Sequence, residues 1–177
     1  MEPAYQCRDE VVVPGEREAC FAVLRDVGTY ARWWTLVEVT PVTGGTRLSP
    51  GVRFRFTGTR PAGSVVSWVA RVTALRAPAR IELAYDDGDL QGTTGWELED
   101  VPDGTRVAYV YYGVRATSEA SAASFRRWGT RLHSIAMQED ALAGLVRLFG
   151  GAGADLDDAA WRLQVRARVA AAVTALG

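Results

Sequence analysis

Thr93-Thr94-Gly95-Trp96-Glu97-Leu98-Glu99 and Thr105-Arg106-Val107-Ala108-Tyr109-Val110-Tyr111, separated by Asp100-Val101-Pro102-Asp103-Gly104, are the stretch whose reading decides the fold. Trp96 and Leu98 alternate with Glu97 and Glu99, which is the period of a strand with one face buried and one wet. Pro102-Asp103-Gly104 has turn chemistry, so the two runs form an antiparallel hairpin whose second strand extends from Thr105 to Arg115. Directly afterwards the period changes. From Ser118 to Phe149 apolar residues recur every 3.6 positions. Ser118, with Glu119 and Ser121, suits a helix start, and Gly150-Gly151-Ala152-Gly153 suits its end. A hairpin that runs straight into one long amphipathic helix must bury the helix stripe against the sheet.

Working outward from the hairpin, more strands precede it. Arg80 to Tyr85 alternates Ile81, Leu83 and Tyr85 against Glu82 and Ala84, followed by a turn at Asp86-Asp87-Gly88-Asp89. Val65 to Leu75 is a strand, and Gly51 to Gly58 alternates Val52, Phe54 and Phe56 against Arg53, Arg55 and Thr57. Leu36 to Thr43 is another strand, ending at Gly44-Gly45. The run Val11-Val12-Val13 marks a first strand over residues 8–14, broken by Pro14-Gly15. Two helices follow, Glu16 to Asp26 and Val27 to Trp34. The order is strand, two helices, six strands, long helix: an α+β fold in which a curved antiparallel sheet of about seven strands wraps a long C-terminal helix. One further helix is expected from Asp157 or Asp158 to Leu176, after a linker at 150–156. The expected organisation is one domain, with residues 1–149 as the ligand-binding unit and 150–177 as linker and added helix.

Composition sets the outer limits. The chain has 177 residues, nearly half of them apolar, with a net charge of −1, which suits one globular domain with one sizeable core. All the basic residues are Arg and none is Lys, a bias that points to a high-GC, bacterial genome rather than to a task. They are scattered among acids, so no basic stripe argues for nucleic acid. The N-terminal residues are polar and acidic, without the pattern of a signal peptide, and no apolar run is long enough to span a membrane. The expected setting is the cytoplasm, with Cys7 and Cys20 as reduced, partly buried thiols. One histidine and two separated cysteines predict no metal site and no cofactor. His133 itself projects from the helix side opposite Ile135 and reads as an exposed surface residue.

The element order over residues 8–149 resembles the START/SRPBCC superfamily, the helix-grip or birch-pollen-allergen-like fold. Tyr30-Ala31-Arg32-Trp33-Trp34 is similar to its Tyr-Pro-x-Trp-Trp-Pro segment, and Gly95-Trp96-Glu97-Leu98 with Asp103-Gly104-Thr105-Arg106-Val107-Ala108-Tyr109 is similar to its last hairpin. Within the superfamily the chain looks most like the bacterial polyketide cyclase/dehydrase-like group. That resemblance implies a cavity between sheet and helix that takes a hydrophobic small molecule. The inward parity of the strands supplies its wall: Phe54, Phe56, Trp68, Ile81, Leu83, Tyr85, Trp96, Leu98, Val107, Tyr109 and Tyr111, closed at one end by Trp33 or Trp34. Aromatic walls suit flat, conjugated ligands, and the tyrosine hydroxyls add polar fixing points.

On the helix the expected stripe is Trp128, Leu132, Ile135, Leu142 and Val146, with Glu139 inside it and Gln138 and Arg131 beside it. A carboxylate facing an apolar cavity would have a raised pKa and could move a proton near neutrality. Three functions follow. In the first, an enzyme folds and cyclises a polyketide-like substrate, Glu139 moving a proton while Tyr109 or Tyr111 donates to a developing enolate. The second is a carrier or sensor that uses the same walls without catalysis. In the third, the terminal helix recruits a protein partner or a second copy of the chain. Aromatase/cyclase members carry Trp-x-Ser-x-Arg on the cavity face. Here the Ser and Arg positions are Ala70 and Val72, while Arg71 has the outward parity.

Overall fold

The computed structural model describes residues 4–59 and 65–175, and of these the side chains at 59, 124, 125 and 127–131 lie outside the description. Trp128 and Arg131 therefore fall outside the described side chains. The elements are β1 (Tyr5–Val13), α1 (Arg17–Leu24), a 3₁₀ turn (Val27–Arg32), β2 (Val37–Pro41), β3 (Arg53–Thr59), β4 (Val65–Arg76), β5 (Arg80–Gly88), β6 (Leu90–Val101), β7 (Gly104–Ala116), α2 (Glu119–Ala136), a π-helical segment (Met137–Leu142), α3 (Ala143–Leu148) and α4 (Asp158–Ala175). The chain order is the one the sequence predicts.

The seven strands form one antiparallel sheet in the order β1-β7-β6-β5-β4-β3-β2. Short connections make each neighbour in sequence a neighbour in the sheet, except that β1 closes against β7. The β6–β7 turn is tight: Gly104 has φ +133, and a Cβ there would sit 2.1 Å from the Val13 carbonyl oxygen. Only glycine lets the hairpin come this close to the end of β1. Register shifts at Tyr5/Cys7, Val69/Ala70, Val72/Ala74 and Thr93/Thr94 interrupt the ladders. Such bulges bend strands, and here they accompany the curl of a half-barrel.

The concave side is mostly apolar and aromatic. Phe54, Phe56, Trp68, Ile81, Leu83, Tyr85, Trp96, Leu98, Val107, Tyr109 and Tyr111 are all buried, the parity read from the strands. The convex side carries a ladder of ion pairs, among them Arg53 and Arg71 on Asp86 and Arg8 and Arg80 on Glu97. Arg71 thus points outward, as its parity requires.

Ser118 caps α2, its hydroxyl accepting from the Ser121 N–H at 3.1 Å. The long C-terminal helix is not uniform, since a π-helical turn joins α2 to α3. α4 folds back onto the outside of this region. Trp161 and Val165 are buried by it, and Arg147, itself buried, donates to the Leu156 and Arg32 carbonyls and pairs with Asp158 at 2.7 Å. None of the described helices is long and apolar enough to cross a membrane.

Candidate functional site

The grip interior is a continuous run of aromatic rings. Trp33 stacks near Trp34 (centroids 5.9 Å apart), Trp34 meets Phe56 (5.9 Å), Phe56 stacks on Trp68 (5.5 Å, 9° between planes), Trp68 meets Tyr85 (5.7 Å), and Tyr85 meets Tyr111 (6.2 Å). Trp96 and Tyr109 pack alongside at 4.5 Å. Such edge-on and offset contacts are the favourable aromatic geometries. The Tyr85 and Tyr109 hydroxyls share a hydrogen bond of 2.5 Å. Burial pushes the phenols of Tyr85, Tyr109 and Tyr111 well above the usual tyrosine range, so all three are neutral and can donate. Trp34 Nε1 and Trp68 Nε1 are buried and have no hydrogen-bond partner among the described residues.

The helix side differs from the expected stripe. Glu139 does not face the interior: its carboxylate is 42% exposed and lies 3.2 Å from Arg168 of α4. The fully buried carboxyl is its neighbour, Asp140. Oδ1 of Asp140 accepts from the Thr35 N–H (2.9 Å) and hydroxyl (3.0 Å), and Oδ2 accepts from the Leu36 N–H (2.7 Å). Burial raises its pKa to about 6 against the opposing pull of these donors. The inward residues are Met137, Asp140, Ala141, Leu142, Gly144 and Leu145, while Ile135 and Val146 are only half-buried. Two causes account for the change. The π turn holds more residues than an α turn, so phase is lost across it. The closest approach is also made by small residues, which a stripe of large apolar side chains does not reveal. A Cβ on Gly144 would lie 2.0 Å from the Trp33 carbonyl oxygen.

His133 likewise is not a surface residue. Its side chain is 15% exposed, and its ring stacks on Tyr111 with centroids 4.3 Å apart. It therefore extends the aromatic run to the edge strand. There Cys7 and Asp9 project inward from β1, and the ligand-type atoms of Cys7, Asp9 and His133 lie within 4.8 Å of one another. His133 Nε2 is 3.5 Å from Asp9 Oδ2, and the Cys7 thiol donates toward the same oxygen at 3.7 Å. Burial drives the imidazole down to about 4, the Asp9 carboxylate pulling the other way, and pushes the Cys7 thiol up to about 11. A thiol held protonated in this way is a poor nucleophile. Gln138 Nε2 makes a long contact of 3.4 Å with Asp9 Oδ1. Its side chain also lines a cleft of about 510 Å³ bounded by Val11, Val146, Leu156, Trp161 and Arg168.

Cys7, Asp9 and Asp140 escape the sequence reading. Parity with Val11 and Val13 places Cys7 and Asp9 on the inward face of a longer β1. Nothing local ties residues 7 and 9 to residue 133, or residue 140 to residues 35 and 36.

An antiparallel half-barrel closed over a long C-terminal helix, with an aromatic interior, defines a protein of the helix-grip class. Residues 15–137, more than half of the chain, match the family described as activator of Hsp90 ATPase homolog 1-like protein, and the chain belongs to that family. This lies within the START/SRPBCC-type superfamily; the match is not specific to the polyketide cyclase/dehydrase-like group. No curated protein matches the sequence. Solved structures share the fold at low identity. TTHA0849 from Thermus thermophilus is 19% identical with a TM-score of 0.59, covering 95% of this chain and 99% of its own. Ms6760 from Mycobacterium smegmatis is 17% identical with a TM-score of 0.59, covering 81% and 89%. CV1439 from Chromobacterium violaceum is 17% identical with a TM-score of 0.57, covering 82% and 97%. The uncovered 5% in the Thermus comparison is shorter than α4, so that similarity extends into the terminal helix.

Proposed function

We propose that the protein binds a flat, hydrophobic small molecule carrying at least one oxygen, held between the aromatic concave sheet and the helix, as a carrier or sensor. The observation that carries this reading is the pair of buried, unpartnered indole N–H groups of Trp34 and Trp68 beside the Tyr85–Tyr109 hydroxyl pair. A buried donor without an acceptor costs about 1–3 kcal/mol, and an oxygen on a guest molecule would relieve that cost. Flat apolar walls with a few convergent donors are the usual make-up of a small-molecule site. Hydrophobic ligands are also the common cargo of this family, in support of the same reading. Trp33, Phe54, Phe56 and Trp96 complete the proposed wall, and Tyr111 supplies a third phenol.

A cyclase reading through Glu139 is less well supported, because that carboxylate is turned toward Arg168 and away from the phenols. Tyr109 and Tyr111 could still orient a carbonyl without chemistry. The test is a titration with a naphthol, read by quenching of tryptophan fluorescence, alongside native mass spectrometry of the protein as purified. Tyr85→Phe should weaken naphthol binding about 5–10-fold, the worth of one hydrogen bond. Trp68→Phe should weaken it further, and Glu139→Gln should leave it unchanged. Absence of both saturable quenching and a retained small molecule would remove the proposal.

A further inference from the structure

We infer that Cys7, Asp9 and His133 form a binding site for a single divalent transition metal of the zinc type. The three residues come from opposite ends of the chain, two from the edge strand β1 and one from α2, and offer one sulfur, one carboxylate oxygen and one imidazole nitrogen. Zinc bonds of about 2.0–2.3 Å to such atoms place neighbouring tetrahedral ligands roughly 3.3–3.8 Å apart. The two separations that meet at Asp9 Oδ2, 3.5 Å to His133 Nε2 and 3.7 Å to Cys7 Sγ, fall in that range.

A second observation points to a missing partner. His133 Nε2 is buried and makes no hydrogen bond of acceptable geometry among the described residues, although it faces a carboxylate. Ordinary core packing would pair that nitrogen. The surroundings are also those of a supported site. The ring of Tyr111 fixes the imidazole plane by stacking, and the Gln138 amide lies on the far oxygen of Asp9, leaving Oδ2 turned to the other two ligands. Outer contacts of this kind orient ligating groups. A mixed sulfur, nitrogen and oxygen set selects zinc, cobalt or iron over magnesium and calcium, which take oxygen only. Three protein ligands leave a fourth position for water or for an oxygen of a guest held against Tyr111. The metal site does not depend on the ligand reading given above.

Cobalt is the probe that separates this from a merely packed cluster. Protein freed of metal with a chelator and kept reduced is titrated with Co²⁺. One equivalent should produce a thiolate-to-cobalt charge-transfer band in the near ultraviolet and intense four-coordinate bands in the visible, both bleached by Zn²⁺. Cys7→Ser should abolish the charge-transfer band, and His133→Gln and Asp9→Asn should each weaken binding at least about 10-fold. Cys20→Ser, remote from the cluster, should change nothing. X-ray absorption on the zinc-loaded natural sequence needs no variant and should show one sulfur neighbour. Absence of saturable one-to-one binding, a charge-transfer band that survives Cys7→Ser, or a zinc environment without sulfur would overturn the assignment. Naphthol binding is read separately, so failure of one proposal is distinguishable from failure of the other.

Discussion

Asp140 shows how much one buried carboxyl can organise. It ties the backbone just after Trp33-Trp34 to the π-helical segment through three donors. Its folded pKa of about 6 stands above the ordinary carboxyl value of 3.8. Folding therefore favours the neutral form. The stability this contributes is fully present below about pH 4 and is lost as the pH rises through 6, with a total near 3 kcal/mol. Asp140→Asn removes that pH dependence and turns an amide N–H₂ toward an N–H donor. The variant should lose about 1–3 kcal/mol, and the loss should be larger at pH 4.5 than at pH 7.5. Urea unfolding at the two pH values checks this; equal losses would mean that Asp140 keeps an ordinary pKa in the fold.

At the scale of elements, the helix is placed by small residues and by a wide turn rather than by its large apolar ones. Gly144 lets α3 touch the Trp33 carbonyl, and Ala141 is fully buried beside it. Gly144→Ala gains helix propensity of about 1 kcal/mol, yet its methyl has no room against a backbone oxygen. Overpacking of this type costs about 1–3 kcal/mol, and here the obstacle is main chain, so the net effect should be destabilising. A thermal melt should show a lowered midpoint. A raised midpoint would mean that α3 can move off the Trp33 segment at little cost.

For the whole molecule, α4 packs against α2 and the π-helical segment rather than against the sheet. Arg147 is the joint: its guanidinium satisfies the Leu156 and Arg32 carbonyls, pairs with Asp158, and lies over the Trp161 ring at 5.5 Å. Arg168 also lies over that ring, at 4.9 Å, while pairing with Glu139. Arg147→Met keeps the apolar stem but orphans the carbonyls, each an expense of about 1–3 kcal/mol when buried. Hydrogen exchange should then accelerate across 158–175 while β6 and β7 stay protected. Unchanged exchange in α4 would show that Trp161 and Val165 hold it without the arginine. Of the apolar residues on this helix, Trp161 and Val165 are buried, Val169 is half-buried and Leu163 is 73% exposed.

Much of the fold was legible in the chain because strands and turns declare themselves locally. Trp96-Glu97-Leu98, Phe54-Arg55-Phe56 and Ile81-Glu82-Leu83 announce one buried face by alternation alone, and each inward residue named from it is buried. Pro102-Asp103-Gly104 and Ser118 mark a turn and a helix start through their own backbone and side-chain chemistry. The helix phase was not legible, because a π turn and inward-facing Gly144 and Ala141 leave no hydrophobic signature. For that reason the inward carboxyl is Asp140 and not Glu139. The cluster of Cys7, Asp9 and His133 was equally hidden. Alternation assigns a side chain to a face of its own strand, but the closing of β1 against β7 decides what stands opposite it. The sequence by itself determined the sheet, its inner face and the aromatic character of the interior, since these rest on spacing and hydrophobicity. Only the tertiary structure decided which polar groups meet there, because those meetings depend on the rotation of one helix and on contacts between residues more than a hundred positions apart.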